Sequence, residues 1–198
     1  MRTVKLPVWI VTLLIALLAI PPVRADLYGD DAKNATGGEL NDQDYWWAKF
    51  DDMMLDLAIK QRQPEGKIGL NLASSIRRLD DLVKKFPKHE ELMKMKQHAN
   101  EVNGKISPDA SRGGSFNPGC PWEEANFAQL WVNLNWARTA VKANDYNTAL
   151  SCMQNVMQNY QILLKPDRLK DYPDHLRTWV MDSKAEADAL YAKVKAKR

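Results

Sequence analysis

The side chains best able to do chemistry are three histidines (His89, His98 and His175), two cysteines and a few adjacent acids. Hydrolysis by a serine nucleophile would be marked by a Gly-x-Ser-x-Gly elbow. Phosphate binding would need a Gly-rich loop that runs into a helix with a Lys, and zinc proteolysis a His-Glu-x-x-His helix. None of these patterns occurs, and Gly113-Gly114-Ser115 has no Lys behind it. The acid pairs Asp51-Asp52, Glu90-Glu91 and Glu123-Glu124 could in principle supply the two carboxylates of a glycosidase. Glu123 and Glu124, however, stand at a helix start, where unpaired backbone N–H groups favour acids for electrostatic reasons. The sequence therefore names no catalytic residue and no cofactor. A cell-wall glycan enzyme is the third of three readings.

His89, Met93, Met95 and His98 lie within ten residues and are ligand types that could hold copper. At about 100° per residue, His89 and Met93 fall on the outer side of a helix. Met95 and His98 fall roughly opposite, with Met95 in the apolar stripe. Such a spread cannot converge on one ion, so no metal is expected, and His89 is expected to be exposed. A c-type haem would need Cys-x-x-Cys-His, which is missing. Cys120 and Cys152 do not form a Cys-x-x-Cys, so dithiol catalysis is not expected. In an oxidising compartment they would form one disulfide worth roughly 3–4 kcal/mol; otherwise they are two buried thiols.

The compartment follows from the start of the chain. Arg2 and Lys5 precede an almost wholly apolar run over residues 8–20, which Pro21-Pro22 interrupts before Val23-Arg24-Ala25. This is the pattern of a secretory signal peptide over residues 1–25. The apolar run is short of the roughly 20 residues that span a bilayer. A periplasmic or secreted protein, off the membrane once the signal is removed, is the expectation. The signal also explains the charge. The 198 residues carry 28 Lys+Arg and 25 Asp+Glu, but the first 25 residues hold three cations and no acid. The remainder is balanced, and no nucleic-acid partner is expected.

Residues 26–43 are polar and Gly-containing and read as a flexible lead. Six helical segments follow. The first, near 44–61, has apolar residues on two sides (Trp46, Phe50, Met53, Met54 and Leu57 against Ala48, Leu55 and Ile59), which predicts an element packed between others. A turn at Gln63-Pro64-Glu65-Gly66 leads to the second, near 67–86. Its stripe is Ile68, Leu72, Ile76, Leu79, Val83 and Phe86, and Asp80 with Lys84 and Asp81 with Lys85 are spaced for exposed ion pairs. The third, 89–103, stops at Gly104. A long irregular stretch, 105–121, separates this N-terminal three-helix half (44–104) from a C-terminal half (122–195). There helices are predicted near 123–143, 146–164 and 173–195. The fourth has two apolar faces, and residues 125–137 hold no charge, so it should be the most buried. No segment alternates like a strand. The fold class is all-α: six main helices in a bundle or a short α-hairpin solenoid.

The stretch Asn144-Asp145-Tyr146-Asn147-Thr148-Ala149-Leu150 resembles the turn between the paired helices of tetratricopeptide repeats, and Leu79 to Pro87 resembles the end of such a repeat's second helix. The resemblance covers about a third of the chain after the signal. In the preceding helix, Asn133, Trp136, Ala137 and Ala140 occupy the places of the repeat's Trp-Leu-Gly-Tyr pattern. The family implies stacked helical hairpins that bind peptides or partner proteins.

The fourth and fifth helices also carry the most unusual surface. Residues 146–164 contain no charge, and Asn147, Ser151, Gln154, Gln158 and Gln161 gather away from the apolar stripe. Interface cores are depleted of charge, so a protein partner in the exported compartment is the leading expectation. Amides beside a Trp ring also suit a neutral glycan, through hydrogen bonds and stacking. Asn147, Gln154, Gln158, Gln161, Trp136 and Arg138 are the candidate binding residues for either. The leading reading is thus an exported, non-catalytic interaction or scaffold module, with a small-ligand or glycan binder second. Trp46, Trp47 and Trp179 read as core.

Overall fold

A computed structural model describes residues 35–106, 125–170, 172 and 174–197. The signal, Cys120 and most of the long irregular stretch lie outside these residues. Among the described residues there are seven helices and no strand: α1 (Gln43–Lys60), α2 (Glu65–Lys85), α3 (Glu90–Asn103), α4 (Ala125–Lys142), α5 (Tyr146–Leu163), a single turn α6 (Pro166–Leu169) and α7 (Asp174–Ala196). The protein is all-α, as its periodicity predicts. None of the described helices is long and apolar enough to cross a membrane.

Two main cores organise the helices, with a small third cluster of Ala140, Ala149, Leu150 and Val194. The first gathers Tyr45, Trp46, Phe50 and Leu55 of α1, Leu72 and Leu79 of α2, and Leu92 and Ala99 of α3. The second gathers Met153, Val156 and Tyr160 of α5 with Leu176, Val180 and Ala187 of α7. α4 serves both. Its Ala128 and Val132 enter the first core, and Phe127, Leu130, Leu134 and Ala137 the second. This explains the missing charges of residues 125–137: both apolar faces of α4 are covered, and Gln129 is the one exposed residue over 126–137. Each fully buried Leu or Phe contributes about 1.5–3 kcal/mol by leaving water. α1 is packed between α2, α3 and α4, which accounts for its two apolar sides.

A buried polar bond fixes α1 on α4. The Trp46 indole Nε1 donates to Thr139 Oγ1 at 3.1 Å, and the Thr139 hydroxyl in turn donates to the Trp136 carbonyl at 2.9 Å. Turns follow local chemistry. Asn144 takes a left-handed conformation (φ 59°), which closes α4 and lets the Asp145 N–H reach the Ala140 carbonyl at 2.8 Å. The Asp145 side chain then accepts from Thr148 N at 3.1 Å and caps α5. The α1–α2 turn is tighter than expected. Arg62 is left-handed (φ 52°), and α2 already begins at Glu65, inside the predicted turn.

The lead is not a free segment in its last residues. Leu40 is buried in the first core, and Thr36, Gly38, Glu39, Asn41 and Asp42 each bond to the helical body. Asp42 caps α1, accepting from Asp44 N at 2.7 Å, while its other oxygen meets Lys85 Nζ at 2.5 Å. Asn41 accepts from Trp136 Nε1 at 2.9 Å and donates toward Asp145 at 3.4 Å. Glu39 pairs with Lys142 at 2.7 Å. Residues 36–42 therefore form a strap that touches α2, α3, α4 and the start of α5. Lys85 is thus drawn to Asp42, Asp81 pairs with Lys84 at 3.4 Å, and Asp80 with Lys96 at 2.7 Å. These replace the four-residue pairs that the spacing suggested.

His89 is the second departure. It is fully buried, not exposed. It precedes α3 as its cap, so its ring does not follow the helical wheel. Nδ1 accepts from Leu92 N at 3.4 Å and Nε2 faces the Gly38 carbonyl at 2.8 Å. The first contact needs a lone pair and the second a hydrogen, which selects the tautomer protonated on Nε2. The ring also stands edge-on to Tyr45, 5.7 Å between centroids. His89→Ala removes a helix cap and leaves the Gly38 carbonyl unpaired. It should lower unfolding free energy by about 2–4 kcal/mol, with His89→Asn, which keeps a cap, losing less. Urea denaturation reads both; a loss below about 0.5 kcal/mol for the alanine variant would show that strap and cap carry no stability.

Candidate interaction surface

The second core sets which side of α5 meets solvent. Because Ala149, Cys152, Met153, Val156, Tyr160 and Leu163 are buried, the residues between them are driven outward. Asn147, Ser151, Gln154, Asn155, Gln158 and Gln161 are all exposed. None of the Gln154, Gln158 and Gln161 amides makes a side-chain hydrogen bond to the described residues. The predicted amides are thus brought together as one uncharged row along a single helix. The buried amide of this helix, Asn159, is turned away and donates to the Asn155 carbonyl at 2.9 Å.

The other two candidate residues do not join that row. Trp136 is half-buried, packs against both cores, and spends its N–H on Asn41 of the strap. Arg138 reaches α7 instead, where its guanidinium grips Glu186 with two bonds of 2.8 and 2.7 Å and also Asn135 at 2.7 Å. α4 lies inside the bundle, so the surface belongs to α5 and not to the α4–α5 hairpin as a whole. Trp46 is buried, and Trp47 and Trp179 are half-buried against the cores.

Cys152 is buried in α5, and burial pushes its thiol up to about 12. Cys120, its expected disulfide partner, lies outside the described residues. Among the described residues no group of three His, Cys, Asp or Glu side chains is placed to hold a metal ion. Met95 sits in the first core, Met93 is exposed and His89 is the buried cap, so the four candidate metal ligands are dispersed.

A second polar cluster, which no sequence motif marks, lies in an open groove of about 390 Å³ between α1 and α3. His98 of α3 stands between two acids of α1, with Nδ1 2.9 Å from Asp52 and Nε2 3.4 Å from Asp56. Beside it Glu91 meets Lys49 at 2.9 Å and accepts a short hydrogen bond from the buried Tyr45 hydroxyl. Asp52 and Asp56 are one helical turn apart, a spacing that marks a shared face. What the sequence cannot supply is that α3 presents His98 to that face. Each carboxylate here already faces a cation, a ring nitrogen or a hydroxyl of the cluster. The groove works as a polar seam between two helices that otherwise touch little.

The chain matches no family model, no curated protein and no solved structure with which it was compared.

Burial raises the Glu91 carboxyl, but the Tyr45 hydroxyl and the Lys49 ammonium outweigh it and hold it below the usual glutamate range. A carboxyl so lowered stabilises the fold above its unfolded value, near 4.3, and that contribution disappears as pH falls through the folded value. Glu91→Gln should therefore lower stability at neutral pH and lose less on acidification than the wild type. Thermal unfolding between neutral and acid pH tests this, and parallel curves for the two proteins would refute it.

Proposed function

We infer that this is an exported, non-catalytic interaction module that docks a partner protein on the outward face of α5. The observation that carries the reading is the exposed row Asn147, Gln154, Gln158 and Gln161, uncharged on a protein with 27% charged residues. A row of unpaired amides on a well-packed helix offers donors and acceptors at fixed positions, and no charge must be desolvated when a partner covers it. The signal-like start of the chain supports export. The resemblance of the α4–α5 turn to tetratricopeptide hairpins supports a binding role. The glycan alternative has less behind it, because Trp136 stands away from the row with its N–H engaged by Asn41.

The test places charge in the row. Gln154→Glu with Gln158→Glu should leave thermal stability within about 0.5 kcal/mol, as exposed substitutions do. The same double variant should capture its exported partner at least ten-fold less well than the wild type, a loss of about 1.4 kcal/mol in binding. Equal capture by both proteins would refute α5 as the binding face.

A further inference from the structure

α7 has a second organised face that neither the cores nor the α5 row uses. Its inward side is Leu176, Val180, Ser183, Ala187 and Val194, all buried. Directly opposite, Thr178, Met181, Ala185, Ala189, Ala192 and Ala196 recur at steps of three and four, and all are exposed. Met181, at 59% exposure, is the most exposed large apolar residue among the described ones. Steps of three and four make a straight seam along a helix, the pattern by which one helix packs on another. Over 18 residues at 1.5 Å each the seam is about 27 Å long.

Charge says what fits it. On one flank of the seam, Asp182 and Glu186 lie in the first half of α7, and Lys193 and Lys197 lie at its end. Asp182, Lys193 and Lys197 form no ion pair among the described residues, and Glu186, which holds Arg138, is still 55% exposed. The other flank is already settled within the chain. There Lys184 pairs with Asp188 at 2.6 Å, and Lys195 lies over the Tyr191 ring at 4.3 Å. Laid parallel against an identical helix, this flank meets the opposite flank of the other copy, which sets Lys193 and Lys197 beside Lys195 and Glu186 beside Asp188. Laid antiparallel, the same flank of each copy meets the other. With a two-fold axis at Ala189, Glu186 then faces Lys193 of the other copy, and Asp182 faces Lys197. On the seam, Ala185 faces Ala192 and Met181 faces Ala196. Small side chains let the helix axes approach to about 8 Å.

We propose that α7 is a self-association face, on which a second copy of this chain packs antiparallel through its own α7 about a two-fold axis at Ala189. This arrangement uses the same patch on both copies, as closed dimers do. One helix pair buries less than the roughly 1,200 Å² of a standard stable interface, so the dimer is weak and reversible. It also leaves the α5 row free, so the two faces can be tested separately.

Sedimentation equilibrium of the purified chain, from roughly 10 µM to 1 mM to bracket a weak dimer, should show the mass rising from that of one copy toward two. Ala189→Arg puts two cations on the axis and should hold the protein monomeric across the range. Lys197→Glu should weaken association about ten-fold, and adding Asp182→Lys should restore it by exchanging the two charges; neither residue holds an ion pair among the described residues. Circular dichroism checks that each variant is folded. Should Ala189→Arg fail to fold, Ala189→Cys takes its place, and rapid oxidation to a covalent dimer through residue 189 is expected. A monomer at all concentrations, association unchanged by Ala189→Arg, or no rescue by the charge exchange would overturn the proposal.

Discussion

The structure depends on the burial of α4 on both sides. A helix of 18 residues whose charged side chains are confined to its last turns has two apolar faces that it cannot leave in water. It must be covered twice. α1 covers one side with Trp46 and Phe50, and α5 with α7 covers the other with Met153, Val156 and Tyr160. Two small cores, each thin for independent stability, thereby share one wall. The α5 amide row is a consequence of the same constraint. Once α5 turns its apolar stripe to α4 and α7, its remaining residues can only face outward.

Polar contacts then set how the layers sit on that wall. The Trp46–Thr139 bond pins α1, the Arg138–Glu186 pair pins α7, and the strap joins α2, α3 and the α4–α5 turn. These contacts add modest net free energy because each replaces bonds to water. Their larger effect is positional, since an unmade buried bond costs about 1–3 kcal/mol. The Trp46 indole N–H has that cost in any packing that moves it from Thr139. His89 shows the same economy, since one ring caps α3 and fastens the strap.

Much of this was legible in the sequence, and the rest was hidden for physical reasons. Periodicity identified the helices, the two-sided packing of α1 and α4, and the outward amides of α5, because burial is a property of spacing along one helix. The strap was invisible. Glu39, Asn41 and Asp42 look like a solvated lead, and Asn41 finds Trp136 only 95 residues further on. A helical wheel sets His89 on an outer face, but His89 precedes the helix as its cap, so its ring does not follow that periodicity. Trp136 and Arg138 share the α4–α5 hairpin with the amides, yet they lie on α4, where Asn41 engages the Trp136 N–H and Glu186 the Arg138 guanidinium. The Asp52–His98–Asp56 cluster joins two helices, and no single-helix pattern reports such a meeting.

The central claim is that α4 makes one cooperative unit of two small cores. Native-state hydrogen exchange measures this most directly, since it gives an opening free energy for each amide. The account predicts that the slowest amides of α1, α4 and α5 share one limiting free energy, equal to that of global unfolding. Amides of α5 and α7 that exchange at a distinctly lower free energy, while α1 to α3 stay protected, would contradict it.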